Sequence, residues 1–213
     1  RWEVWIEGLE QVYRHLWHQG LGPLPDTGSF VELSLAVLRS YEDASDHRVI
    51  PLAERLRSLF GKLGVSVQEH SLKESIKFLL GPMLAAGRLD PQALEVLAAL
   101  KGKGLRLGLV SNLPWGAPAC IWRREVARFG LTRYLEAVVF CDDVGYRKPH
   151  PAIFRACLGL LEVPAEGAIF VGDSPSADIA GAKAAGMRTV LRRTEWARGW
   201  TGPEADWKIE RLG

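Results

Sequence analysis

Val171-Gly172-Asp173-Ser174-Pro175-Ser176-Ala177-Asp178 closes an apolar run over 168–171 and opens a helical one over 179–186. A buried strand that ends in Gly-Asp puts its carboxylate at the C-terminal edge of a sheet, where open α/β folds hold their ligands. Asp173 is therefore expected to face a cleft. Asp178, at the start of the next helix, can cap that helix or turn back toward the same cleft. Two close carboxylates suit a hard divalent cation such as Mg2+, which takes oxygen ligands and keeps several of its waters. The plainer reading is a strand-turn-helix junction with a helix cap, so the neighbouring segments have to decide.

Outward from this stretch, strand and helix alternate. Asp90 before Pro91 caps a helix running to Lys101. Gly102-Lys103-Gly104 then breaks it, and residues 105–110 form a short apolar strand ending in Ser111-Asn112. A helix over 119–129 is closed by Gly130, and a strand over 137–141 ends in Asp142-Asp143. The loop 144–151 leads into a helix over 152–161, and a fourth strand is expected at 189–191. Strands alternating with helices of this length predict right-handed βαβ units, hence a parallel sheet with its polar strand ends on one rim.

The first 82 residues read differently, as helices without a convincing strand. Trp5, Leu9, Val12, Tyr13, Leu16 and Trp17 recur at helical spacing up to Gly20. Further helices fit 29–41, 51–63 and 71–80, the last stopped by Gly81-Pro82. The change of period predicts an all-helical domain over 1–85 and an α/β core over 86–213. His15 and His18 can share a helix face, but no third ligand accompanies them to make a metal site. The N-terminal tryptophans read as core or interface anchors.

The composition narrows the chemistry. A chain of 213 residues, 47% hydrophobic and 24% charged, can bury a sizeable core, and a net charge of +2 with no long basic run excludes an electrostatic case for nucleic acid. No run approaches the roughly 18–20 apolar residues of a membrane span, and the expected compartment is the cytoplasm. Cys120, Cys141 and Cys157 form no metal spacing and, being odd in number, no disulfide framework. Small-molecule chemistry is the expectation.

Three signals converge on the predicted rim: Ser111-Asn112, Lys148, and Asp173 with Asp178. A hydroxyl with backbone N–H groups, a cation and paired carboxylates are what a phosphoryl-binding site needs. Their order and spacing resemble the haloacid dehalogenase superfamily of hydrolases. Leu109-Val110-Ser111-Asn112 is similar to its second motif and Gly145-Tyr146-Arg147-Lys148-Pro149-His150-Pro151-Ala152-Ile153-Phe154 to its third. Val171-Gly172-Asp173-Ser174 through Asp178-Ile179-Ala180-Gly181-Ala182 is similar to the fourth, and Ala205-Asp206-Trp207-Lys208-Ile209 to the last strand.

The resemblance implies a Rossmann-like parallel core with an all-helical N-terminal cap, and a metal-dependent phosphatase acting on a small phosphate ester. It implies that Ser111 and the Asn112 N–H bind phosphate oxygens, that Lys148 holds phosphate, and that Asp173 ligates Mg2+ or another divalent cation with Asp178 steadying its water shell. Trp115 and Tyr146 stand beside these residues in sequence and are expected to touch the leaving group. The family's first motif, Asp-x-Asp, which supplies the nucleophile and the acid/base, does not occur in these 213 residues. Either residues precede Arg1, or the chain is truncated and a homodimer covers the gap through Trp5, Leu9, Leu16 and Trp17. A truncated form would use metal-bound water on phosphodiesters or triesters, or serve as a non-catalytic binding module; a haloacid dehalogenase is a further alternative.

Overall fold

Helices α1 (Glu3–His18) and α4 (Glu69–Ala86) meet backbone to backbone, because a Cβ on Gly8 would overlap the Leu79 carbonyl oxygen. The computed structural model describes residues 2–40, 45–193 and 201–212. Its chain divides into two compact units. One comprises Arg1–Asp46, Ile50–Arg88 and Pro114–Pro118, the other His47–Val49, Leu89–Leu113 and Ala119–Gly213.

The first unit is helical. Leu9, Val12 and Leu16 of α1 are buried, as are Leu72, Ile76, Leu79 and Leu80 of α4. Each such side chain contributes about 1.5–3 kcal/mol on leaving water. That explains one correction to the sequence reading: α4 does not stop at Gly81-Pro82 but runs through Pro82 to Ala86. An interior proline costs about 3 kcal/mol, less than the apolar face that already fixes the helix. Helix α2 (Thr27–Arg39) starts earlier than expected because Asp26 Oδ1 accepts from the Ser29 N–H at 3.0 Å. Its expected last residue, Tyr41, lies outside the described residues. Helix α3 (Leu52–Lys62) follows.

Two of the four side chains expected at a dimer contact are covered within the single chain. Leu9 and Leu16 have no accessible surface left, since they are spent inside the helical unit. Trp17, at 61% exposed, remains on the surface of α1.

The second unit carries parallel strands covered by helices. Helix α5 (Ala93–Gly102) precedes β1 (Gly108–Ser111), which pairs in parallel with β2 (Ala137–Phe140) after α6 (Ala119–Arg128). The strand expected at 105–110 starts later because β1 pairs with β2 only from Gly108. The strand expected to reach Cys141 ends at Phe140, because a helical turn, α7 (Cys141–Val144), starts there and runs to the first residue of the expected loop; α8 (Pro151–Leu161) follows. Then β3 (Ile169–Gly172), α9 (Ala180–Ala184), β4 (Arg188–Arg192) and β5 (Trp207–Ile209) form a second parallel sheet in the order β3-β4-β5.

The strands predicted to share one parallel sheet fall, among the described residues, into two parallel sheets. No strand among the described residues bonds both β1 and β3, which are not paired with each other. Ile169 and Val171 on β3 stay 48% and 49% exposed. Helix α8 serves both sheets. Its Cys157 Sγ leaves no room for a Cβ on Gly108 of β1, and its Phe154 ring meets Phe170 of β3 edge-on at 5.1 Å.

Candidate active site

Asp178 is the pivot of the rim. It is 3% exposed, and its two carboxylate oxygens have separate tasks. Oδ2 accepts from the backbone N–H groups of Asp173 and Ser174 at 3.0 and 2.9 Å, folding the turn after β3 back on itself. Oδ1 accepts from Lys148 Nζ at 2.6 Å. The close approach has a sequence cause: a Cβ on Gly172 would stand 2.5 Å from Asp178 Cβ, Cγ and Oδ2, so only glycine fits before Asp173. Ser174 finishes the turn, its Oγ accepting from the Ala177 N–H at 3.2 Å. The segment Pro175–Ile179 takes a π-helical turn before α9. Gly181 lets α9 lie against the Pro149 backbone and the Phe154 ring.

Lys148 comes to the same point from the loop between α7 and α8. Its Nζ donates to the Val110 carbonyl at 3.3 Å and lies 5.6 Å from the centre of the Phe170 ring. Its backbone is held as firmly as its head. The Lys148 N–H donates to Asn112 Oδ1 at 2.7 Å, and Asn112 Nδ2 donates back to the Lys148 carbonyl at 3.2 Å. Lys148 is therefore bonded to the residues on both sides of Ser111. Ser111, half-buried at the end of β1, turns its Oγ to the Asn112 carbonyl at 3.1 Å.

The remaining candidates separate. Asp173 follows β3 directly with an exposed side chain, the form in which a carboxylate can meet a hydrated cation. Asp178, expected beside it as a metal residue, has both oxygens engaged by protein donors. Its visible work is to hold the turn and Lys148. Among the described residues no group of three or more His, Cys, Asp or Glu could hold a metal ion. A Mg2+ that keeps most of its water needs only one or two carboxylates, so Asp173 fits as one ligand.

The aromatic pair expected to meet a leaving group falls in different units. Trp115 is 5% exposed, with its ring 4.1 Å from that of Trp5, so its apolar area is consumed within the helical unit. Tyr146 stacks on His150 at 4.0 Å and 13°. The sequence reading did not single out His150, although a histidine four residues after a tyrosine across a turn is within stacking reach. Nor did it see Phe170, whose ring faces the Lys148 ammonium. The acidic pair Asp142-Asp143 is structural: Asp142 Oδ2 accepts from the Ala119 N–H at 3.0 Å, and Asp143 Oδ2 accepts from the Phe140 N–H at 2.9 Å and pairs with Arg123 at 2.8 Å.

Comparison with known proteins bears on what this rim does. The sequence pattern of the family described as haloacid dehalogenase-like hydrolase matches residues 12–186. A phosphoglycolate phosphatase of Rhodospirillum rubrum is 43% identical over 115 residues, 54% of this chain and 46% of that protein. A glyceraldehyde 3-phosphate phosphatase of Pyrococcus abyssi is 39% identical over 100 residues, 47% and 40% of the two chains. The chain thus spans about half the length of the curated relatives it matches. Among solved structures, a 2-haloacid dehalogenase from Pseudomonas syringae superposes with a TM-score of 0.71 at 26% identity, covering 98% of this chain and 87% of that one. An HAD phosphatase from Thermococcus onnurineus gives 0.69 at 24% identity, covering 96% and 84%; that likeness concerns the fold.

Proposed function

We propose that this chain, which belongs to the haloacid dehalogenase-like hydrolases, binds and hydrolyses a small phosphate monoester at the rim where β1 and β3 end. The observation that carries the reading is the Lys148 ammonium, 2.6 Å from Asp178 Oδ1 and 3.3 Å from the Val110 carbonyl, with only 12% of its side chain exposed. A cation held there beside a strand-end hydroxyl and backbone N–H groups is preorganised for a dianion, and such charge-assisted contacts are the strong ones.

The roles follow from position. Ser111 Oγ rotates from the Asn112 carbonyl toward a phosphate oxygen, and the Asn112 N–H supplies a second donor. Lys148 shares its charge between Asp178 and the phosphate. Asp173 is the carboxylate that would hold Mg2+. When bound, Mg2+ supplies Lewis-acid neutralisation of charge developing on a phosphoryl oxygen. Tyr146, stacked on His150, offers a planar apolar edge for the rest of the substrate.

The test is phosphate release from phosphoglycolate, glyceraldehyde 3-phosphate and ribulose 1,5-bisphosphate, each with Mg2+ and with EDTA. Mg2+-dependent release from at least one supports the reading. Chloride release from a 2-chloro acid without phosphate release would instead favour the activity named for the Pseudomonas relative. The alternative outcome is a module that binds phosphate without turning it over. Saturable phosphate binding in calorimetry with no release from any ester would select it.

A further inference from the structure

The loop that carries Lys148 is gripped from two sides, and one grip comes from a distant part of the chain. His47–Val49 is assigned to the strand-bearing unit although the chain on both sides of it belongs to the helical one. There it lies antiparallel to residues 145–147, with an isolated bridge between Arg48 and Tyr146. The Val49 N–H donates to the Gly145 carbonyl at 2.9 Å, and the Arg147 N–H donates to the His47 carbonyl at 2.9 Å. His47 adopts a φ of 57°, a conformation a non-glycine residue holds at a cost and keeps when its surroundings require it. The Arg48 guanidinium lies 5.8 Å from the centre of the Tyr146 ring, itself stacked on His150. The next residue after this pairing is Lys148, whose backbone is fixed from the opposite side by Asn112.

We propose that His47–Val49 is a backbone strap that positions Lys148, so that phosphate affinity at the rim depends on two main-chain hydrogen bonds made by residues 47 and 49. Lys148 thus has one fixed point just past the end of β1, through Asn112, and one on the strap. With both in place its ammonium meets Asp178 and a phosphate in a single geometry. With the strap removed, the segment 145–147 regains its backbone freedom, and the Nζ position spreads. The strap residues are positioning residues and touch no substrate. The inference rests on the reading of Lys148 as a phosphate-binding group.

Inorganic phosphate binding to the full chain, measured by calorimetry, tests it through three variants. Val49→Pro deletes the N–H that bonds Gly145 and is expected to weaken phosphate about tenfold, since displacing a positioned group by a fraction of an ångström commonly costs that much or more. Arg48→Ala keeps both main-chain bonds and is expected to stay within about twofold of the parent. Lys148→Ala separates the two levels of the argument. If it binds phosphate as the parent does, the site reading fails; if it loses phosphate while Val49→Pro keeps it, the strap alone is wrong. Equal losses in Arg48→Ala and Val49→Pro would also overturn the strap, by placing the effect in the side chain. Should Val49→Pro not fold, amide exchange in the parent decides: the Val49 and Arg147 N–H groups must exchange more slowly with phosphate present, and unchanged rates overturn the proposal.

Discussion

Lys148 and Asp178 form a 2.6 Å ion pair across thirty residues of sequence, with side chains only 12% and 5% exposed. The pair joins the two sheets at their C-terminal rim, since Lys148 also bonds the Val110 carbonyl of β1 while Asp178 folds the turn after β3. Removing one member of a buried pair strands the other charge in a medium that solvates it poorly. Asp178→Ala is therefore expected to lower unfolding stability by about 3–5 kcal/mol in urea melts. The double variant Lys148→Met, Asp178→Asn, whose amide oxygen can still accept from the Asp173 and Ser174 N–H groups, should lose less. A cost below about 1 kcal/mol for Asp178→Ala would mean that water reaches the pair.

Asp173 should behave in the opposite way. Its side chain is exposed, so Asp173→Asn is expected to leave stability within about 0.5 kcal/mol of the parent. Any divalent-cation-dependent ester hydrolysis should nevertheless fall by at least about a hundredfold. Near-normal turnover at saturating Mg2+ would remove Asp173 from the role of ligand.

Gly108 tests how tightly α8 lies on β1. A Cβ there would stand 2.6 Å from Cys157 Sγ and 3.0 Å from Leu161 Cδ1. Overpacking of this kind typically costs about 1–3 kcal/mol, and Gly108→Ala should show it. Adding Cys157→Ala removes the obstructing sulfur, so the double variant is expected to lose less than the sum of the singles. Strict additivity would show that the helix shifts instead.

Acid unfolding has an assignable contributor. Asp206 accepts from Lys183 at 3.0 Å and from the Thr189 N–H and Oγ1 at 2.7 and 2.9 Å, and these contacts, Lys183 first, pull its pKa down to about 2. The unfolded carboxyl titrates higher, so between about pH 4 and 2 the unfolded chain binds more protons and stability falls as pH falls. The contribution is complete above that window and gone below it. Asp206→Asn should flatten the acid limb of the stability curve; an unchanged limb would assign the acid loss elsewhere.

Burial acts on the other side of the scale at Cys157, whose thiol is pushed up to about 11 because the apolar contacts of α8 and β1 do not solvate a thiolate. Iodoacetamide at pH 8 is expected to modify exposed Cys120 and to spare Cys157 and Cys141 in the folded chain. Labelling of Cys157 at the rate of Cys120 would show that α8 opens.

The alternation of apolar runs and helical periods was enough to locate β1 to β4 and the helices α6, α8 and α9 between them, because hydrophobic periodicity is a local property, whereas β5 was legible only through the family resemblance of its segment and α7 was not legible at all. The same holds for Gly172-Asp173 and for Lys148, whose positions at strand end and loop follow from neighbours in sequence. Helix α4 was misread at Pro82 because a proline's local cost is visible in the sequence while the burial of Leu72, Ile76 and Leu79 that outweighs it is not. Three further things required the folded chain. Asp178 turned out to spend its oxygens on Lys148 and two N–H groups, a choice made by a residue thirty positions away. Trp115 went into contact with Trp5, and His47–Val49 crossed from the helical segment to pair with the loop before Lys148. These are pairings between residues distant in sequence, and only when the chain has closed those loops do their geometry and their energy exist.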